Sequence, residues 1–286
     1  MIQSILVIGA KGKLGSRVVA NFAQTPAYSV VGVDVDELDI TDFYATRTYI
    51  KDHTPQLVIN CAAWTDVDGC AKDPQKALQI NSYGAGNIAL ACASVGAEIL
   101  HISTNEVFDG KSPNPYNEYD LTHPVNPYAY SKWAAERMVM SANPHHYILR
   151  TAWLFAHGGK NFIHSILNAV NAGKQLRVVT DEVANPTYND DLADAIIKLI
   201  QTQRYGIYHM VNRGSASRYQ FARYVLDKAG FANTPITPII SKEWARPSTP
   251  PTYASLNNNN GAFLGITMRH WHDAVDAFLS KEGLLK

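Results

Sequence analysis

The stretch Ile5-Leu6-Val7-Ile8-Gly9-Ala10-Lys11-Gly12-Lys13-Leu14-Gly15 decides the fold of this 286-residue chain. Its apolar start reads as a short strand buried on both faces. Glycines at three-residue intervals follow directly and open a helical pattern over 14–24. That spacing allows a tight turn, close approach of backbone to a pyrophosphate, and close packing of helix on strand. The helix N-terminus then offers free N–H groups and a partial positive charge to phosphate.

The same alternation continues outward from this stretch. Apolar runs at 5–8, 30–35, 57–60, 99–103 and 147–151 are separated by helical patterns at 14–24, 42–53, 75–95 and 127–141. Strand, helix, strand in succession predicts an α/β fold, a Rossmann-type doubly wound parallel sheet with right-handed crossovers. A dinucleotide-binding domain is expected over 1–151. Beyond it, helical patterns at 161–172, 190–203, 217–229 and 268–280 alternate with short strands such as 207–211 and with proline-rich turns. Residues 152–286 are expected to form a smaller C-terminal α/β substrate-binding region, with interleaving across the boundary left open. The run Asn257-Asn258-Asn259-Asn260 reads as a polar loop.

The hydrophobic share of 46%, the charged share of 17% and a net charge of zero are those of an ordinary globular protein. They favour neither a nucleic-acid nor an acidic-membrane partner. No apolar run reaches the ~18 residues a membrane span needs. The N-terminus shows no basic region followed by a cleavable apolar segment. Cys61, Cys70 and Cys92 follow no metal-ligand spacing. A cytoplasmic protein with reduced thiols and no metal is expected, and a homodimer is left open.

The chemistry is carried by Asn126-Pro127-Tyr128-Ala129-Tyr130-Ser131-Lys132. Asn126 is placed to cap a helix and Pro127 to occupy its first position. Tyr128 and Lys132 then share one helical face. A phenol beside an ammonium is a proton donor to a carbonyl, because the positive charge stabilises the phenolate. The spacing recurs at Tyr224 and Lys228, but inside a helical pattern remote from the strand ends. Ligands of such sheets bind beyond the carboxyl ends of the strands. Ala62-Ala63-Trp64-Thr65 leaves the 57–60 run there, and Ser103-Thr104 leaves the 99–103 run. With a reduced nicotinamide as the hydride source, Thr104 would polarise a ketone oxygen and Tyr128 would protonate it. Lys132 would hold the ribose and keep the phenol acidic. Asp34, Asp36 and Asp39 are candidates for the adenosine ribose. Carboxylates there repel a 2′-phosphate and favour NAD(H), while Lys11 and Lys13 keep NADP(H) open.

These residues resemble the extended short-chain dehydrogenase/reductase superfamily and, within it, the dTDP-4-dehydrorhamnose reductase family, over nearly the whole chain. The pattern runs through Gly9 to Gly15, Leu38-Asp39-Ile40-Thr41-Asp42, Asn60-Cys61-Ala62-Ala63-Trp64-Thr65, Ser103-Thr104 with Val107-Phe108-Asp109-Gly110, and Tyr128 to Lys132 with Ala135-Glu136. It continues in Arg150-Thr151-Ala152-Trp153-Leu154-Phe155, Asn161-Phe162, Asn185-Pro186-Thr187-Tyr188 and Gly206-Ile207-Tyr208-His209.

The resemblance implies a catalytic trio of Thr104, Tyr128 and Lys132. It implies a cofactor site of Gly9, Lys11, Gly12, Lys13, Leu14, Gly15, Asp34, Asp39, Ile40, Cys61, Ala62, Ala63 and Thr65, joined by Tyr128 and Lys132. It places Trp153 against a sugar and Asn161 and Arg246 near a nucleotide diphosphate. It also implies NAD(P)H-dependent reduction of a 4-keto group on a nucleotide-linked deoxysugar. Asn105-Glu106 departs from the family's Asp-Tyr, and Asp181 to Thr187 lacks the family's glutamine and a glycine, so the substrate pocket is expected to be altered. The competing expectations are an epimerase or dehydratase of the same superfamily, and a regulatory subunit that binds a dinucleotide without turnover.

Overall fold

The computed structural model describes residues 3–159 and 161–286. In the first half, β1 (Ser4–Ile8), α1 (Lys13–Ala23), β2 (Ser29–Val33), α2 (Phe43–His53) and β3 (Leu57–Asn60) repeat the strand-helix unit. Then come α3 (Val67–Lys72), α4 (Pro74–Ala77), a π-helical turn at Leu78–Tyr83, α5 (Gly84–Val95), β4 (Glu98–Thr104), α6 (Pro127–Ala142) and β5 (His146–Thr151). The second half comprises β6 (Leu154–Phe155), α7 (Phe162–Asn171), β7 (Leu176–Val179), β8 (Val183–Ala184), β9 (Thr187–Tyr188), α8 (Asn189–Gln201) and β10 (Gly206–His209). It closes with β11 (Ala216–Ser217), α9 (Arg218–Lys228), β12 (Ile236–Ile239), α10 (Asn259–Phe263) and α11 (Trp271–Lys281).

Six strands form a sheet in the order β10-β5-β4-β3-β1-β2, every pair parallel. Leu57, Val58 and Ile59 of β3 are wholly buried because both faces are covered. On one face Val18 and Phe22 of α1 pack with Leu192, Ile196 and Leu199 of α8. On the other, Ile50, Ile88, Ala89 and Val139 bring α2, α5 and α6 down onto the sheet. A separate core of Ile163, Phe221, Val225, Trp271 and Phe278 joins α7, α9 and α11. Among the described residues no helix is long and apolar enough to cross a membrane, and the three cysteines are free.

Four local expectations are corrected. Residues 207–211 were expected as a strand of the smaller region. Instead β10 is the sixth strand of the main sheet, in register with β5 from Gly206 opposite Tyr147 to His209 opposite Arg150. The outer edge of β5 needs a partner for its backbone groups, and the apolar stripe of α8 finds its complement on α1. The chain thus leaves the nucleotide fold after β5 and returns to it through α8 and β10. Second, the Asn257–Asn260 run is no idle loop. Asn258 bonds both backbone groups of Val211, at 3.1 and 2.6 Å, and Asn260 donates to Ile207 O at 2.8 Å, so the run covers the exposed edge of β10.

Third, the 75–95 pattern is not one helix. The π turn widens it at Leu78–Tyr83 and aims Asn81 and Ser82 at α6, a distortion of the kind found at functional sites. Fourth, the 30–35 run is not all strand: β2 ends at Val33 and lies at the sheet's edge, with Val31 43% exposed.

Buried charge fixes α6 on the sheet. Arg150 of β5 donates from Nε and Nη2 to Glu136 of α6, at 2.9 and 2.8 Å. Ser103 of β4 donates to the same carboxylate at 2.5 Å. Neither partner of the ion pair is more than 2% exposed. Replacing Glu136 by Gln leaves the Arg150 charge buried without its counter-ion. That change is expected to lower unfolding stability by about 3–5 kcal/mol, read from denaturant midpoints of wild type and variant.

Candidate active site

The glycine loop is shaped by contacts that admit no side chain. Gly9 turns at φ +82°, and a Cβ there would lie 2.6 Å from the Ala62 nitrogen. A Cβ on Gly15 would lie 2.0 Å from the Gly9 oxygen. Helix α1 has Gly12 as its N-cap, with no side-chain cap and no acidic residue in its first turn. Its first N–H groups therefore face open space with their partial charge uncompensated, the property that receives phosphate.

This loop forms one wall of a cavity of about 1030 Å³, with Asp34, Asp39, Ile40, Cys61, Ala62 and Ala63 on the others. At its rim the Lys11 backbone N–H donates to Asp34 at 2.7 Å. The Lys11 ammonium pairs with Asp36 and with Glu37. Those two hydrogen bonds hold it well above the usual lysine range. Asp34, Asp36 and Glu37 thus surround one lysine that is already neutralised.

A second cavity, of about 460 Å³, continues past Gly12, Cys61 and Ala63. Lys13, Leu14, Gly15 and Thr65 line its cofactor side, and Thr104, Asn105, Glu106, Tyr128, Lys132 and Trp153 line the other. The strand end and the helix start meet here. Thr104 is the last residue of β4 and accepts from Glu106 N at 3.2 Å. Asn126 caps α6 by accepting from Ala129 N at 2.8 Å, and Pro127 follows it at the first helical position. Tyr128 and Lys132 therefore stand one turn apart over the end of β4, 9% and 2% exposed.

Burial raises the Tyr128 phenol above the ordinary tyrosine value. Glu106 adds to the rise and hydrogen bonding with Thr104 opposes it. Burial pushes Lys132 down to about 8, against the pull of the Glu136 carboxylate. Its ammonium nitrogen donates to Ile102 O at 2.7 Å and lies 3.2 Å from His101.

Asn105 and Glu106 divide the work of their pair. The Asn105 amide donates to Ala254 O at 2.9 Å and accepts from Thr104, so it ties the turn to the 254 segment. An aspartate here would set acceptor against acceptor. Glu106 accepts from Asn126 at 2.8 Å through one oxygen. Enclosure raises its carboxyl, with Asn126, Arg218 and Arg246 opposing the rise. It shares a small adjoining space with Trp153, Glu182, Arg218 and Arg246. Trp153 sits at φ +42°, a conformation that costs a bulky residue about 1–3 kcal/mol. The Arg218 guanidinium clamps its ring from 3.6 Å.

The structure gathers the glycine loop, Asp34, Asp39, Ile40, the 61–65 segment, the Thr104-Tyr128-Lys132 set, Trp153 and Arg246 around connected spaces. It does not bring Asn161 to them. That side chain caps α7, accepting from His164 N at 2.9 Å and donating to Ala156 O at 2.7 Å. Arg246 lies at the outer space, paired with Asp68 at 2.9 Å. Tyr224 donates to Asp276 at 3.0 Å and stacks on His272, outside these cavities. Sequence reasoning missed Arg218, remote in the chain from Trp153. It also gave no role to Asn60, quoted only within a motif, or to His101, a polar residue interrupting an apolar run.

The doubly wound sheet, the glycine loop and the Thr-Tyr-Lys set at the strand ends define an extended short-chain dehydrogenase/reductase. Residues 3–283 match the family described as the RmlD substrate binding domain, and the chain belongs to it. It is 36% identical over 280 residues to the spore coat polysaccharide biosynthesis protein SpsK of Bacillus subtilis, covering 98% of each chain. The crystal structure of a dTDP-4-dehydrorhamnose reductase of Clostridium acetobutylicum superposes with a TM-score of 0.94 at 35% identity, covering 98% of this chain and 100% of that one. The dTDP-4-dehydrorhamnose reductase of Bacillus anthracis, solved in complex with NADP, gives 0.93 at 32% identity with the same coverage.

Asn105→Asp is expected to lower unfolding stability by about 1–3 kcal/mol, the cost of a buried unsatisfied acceptor. Equilibrium unfolding in urea measures it.

Proposed function

We propose that this chain is an NAD(P)H-dependent reductase of the 4-keto group of a dTDP-linked 6-deoxy sugar, dTDP-4-dehydrorhamnose in the first place. The observation that carries the reading is Tyr128 and Lys132 standing over Thr104 where the cofactor-shaped cleft narrows. The names of the relatives support the same substrate class.

When bound, NAD(P)H supplies the hydride. The Gly9–Gly15 loop and the α1 N-terminus would receive its diphosphate, and Asp34 and Asp39 the adenosine side. Thr104 donates a hydrogen bond to the ketone oxygen. Tyr128, kept protonated by its surroundings, gives its proton to that oxygen as the alcohol forms. Lys132 holds the ribose and, as ammonium, stabilises the phenolate left on Tyr128. Trp153 covers the sugar, while Arg218 and Arg246 supply positive charge for a nucleotide diphosphate. Glu106 places an acceptor where the family carries a phenol, which suits a sugar hydroxyl. The reaction uses metabolites of the cytoplasm, which is where we place the protein.

Incubation with dTDP-4-dehydrorhamnose should oxidise NADH or NADPH, followed by absorbance. Tyr128→Phe should lower kcat by about 10²-fold or more and leave cofactor affinity unchanged, whereas Tyr224→Phe should alter neither. Equal losses in both variants would sink the assignment. Cofactor binding without turnover would point to the regulatory-subunit reading.

The acidic rim gives a further expectation. With Lys11 neutralised by Asp36 and Glu37, kcat/KM should be higher with NADH than with NADPH. Asp36→Asn should narrow that ratio, read from kcat/KM with each cofactor.

A further inference from the structure

A chain of buried polar groups lies behind Lys132, and the reaction described above leaves it without a role. Asn60 ends β3, and His101 is its register partner on β4. They are 1% and 0% exposed. The chain starts at a group whose polarity cannot change. The backbone N–H of Ala62 donates to Asn60 Oδ1 at 3.0 Å. The other end of that amide is therefore Nδ2, a donor.

Nδ2 lies 3.1 Å from His101 Nδ1, which has to accept. A neutral imidazole that accepts at Nδ1 carries its hydrogen on Nε2. Nε2 lies 3.2 Å from Lys132 Nζ. A free amine has a lone pair to receive that hydrogen; an ammonium has donors only. The remaining partner, Ile102 O at 2.7 Å, accepts from either form.

We propose that Asn60 and His101 are positioning residues that oppose the charging of Lys132, so that the lysine and the imidazole change state together. One proton is taken up from solvent in all: the Nε2 hydrogen passes to the facing Lys132 amine and makes the ammonium, and the solvent proton is gained on Nδ1, so the ring stays neutral. Nε2 then accepts from the ammonium, at the expense of the Asn60 hydrogen bond, where donor now meets donor.

The other groups facing Lys132 do not replace the missing acceptor. Glu136 on its own helix is bound to Arg150 at both oxygens. Burial pushes the Cys61 thiol up to about 12, which keeps it neutral. Burial raises the Tyr128 phenol as well. Burial holds His101 itself well below the ordinary imidazole value, so the ring does not carry the charge. Lys132 is pushed to about 8, the direction the chain demands. Its charge is present below that value and lost as pH rises through it.

The kinetic test rests on the reductase reading; the spectroscopic one does not. In Asn60→Asp one oxygen still takes the Ala62 N–H, while the other accepts from Nδ1–H and frees Nε2 to accept from the ammonium. The alkaline limb of kcat/KM should move up by roughly one pH unit, with the rate at pH 7 little changed. His101→Gln, whose amide oxygen can stand in for Nε2, should move it the same way. A limb that stays at the wild-type pH in both variants, with the rate lowered equally at every pH, overturns the proposal and leaves a packing role.

Nitrogen-15 spectra of histidine-labelled wild-type protein need neither a variant nor turnover. A never-charged imidazole should hold its hydrogen on Nε2 above about pH 9 and on Nδ1 as Lys132 charges. A hydrogen on Nδ1 throughout overturns the proposal. The expected spectra without turnover would count against the reductase reading alone.

Discussion

The placement of every proposed catalytic group depends on one buried carboxylate. Glu136 receives two N–H groups of Arg150 and the hydroxyl of Ser103, so α6, β5 and β4 meet at a single point. Arg150 also donates to Glu118 O at 3.1 Å and lies over the Phe108 ring at 5.1 Å, which seats the long connection between β4 and α6. A buried ion pair adds little net stability over an apolar pair of the same volume. Its value here is direction. Bidentate geometry tolerates little rotation, and a proton donor has to be held within a fraction of an ångström of its acceptor.

Around this anchor further polar contacts couple the elements of the site. The π turn spreads α5 enough for Asn81 to bond both backbone groups of Trp64 and the hydroxyl of Ser131. The cleft wall and the proposed catalytic helix are thereby coupled. Trp153 keeps a strained backbone because its carbonyl is held by Thr187 and its ring by Arg218. Among the described residues, the close hydrogen-bond partners of Lys132 Nζ are the Ile102 carbonyl and a ring nitrogen of His101. The strain at Trp153 thus sits beside the proposed chemistry.

The nucleotide half was largely legible in the sequence because its signals are local. A glycine that must adopt positive φ, an asparagine three residues before the N–H it caps, and apolar runs of strand length act through neighbours in the chain. The Tyr128 pair could be chosen over the Tyr224 pair for the same reason, since only one follows a strand end and a cap. Asn161 shows the limit. Its residue type suits ligand binding and helix capping equally, and nothing in its neighbours says which. The asparagine run at 257–260 was misread because the strand edge it covers is remote in sequence.

The sequence by itself determined the doubly wound architecture, the glycine turn into α1 and the capped start of α6 with Tyr128 and Lys132 one turn apart, because period, φ preference and capping are properties of a few consecutive residues. Only the tertiary structure decided that β10 completes the sheet, that Arg218 clamps Trp153, and that His101 stands between Asn60 and Lys132. Those facts rest on hydrogen-bond and packing partners that distant segments supply. A residue's polarity can be read from its letter, but the polarity of its partner has to be read from the fold.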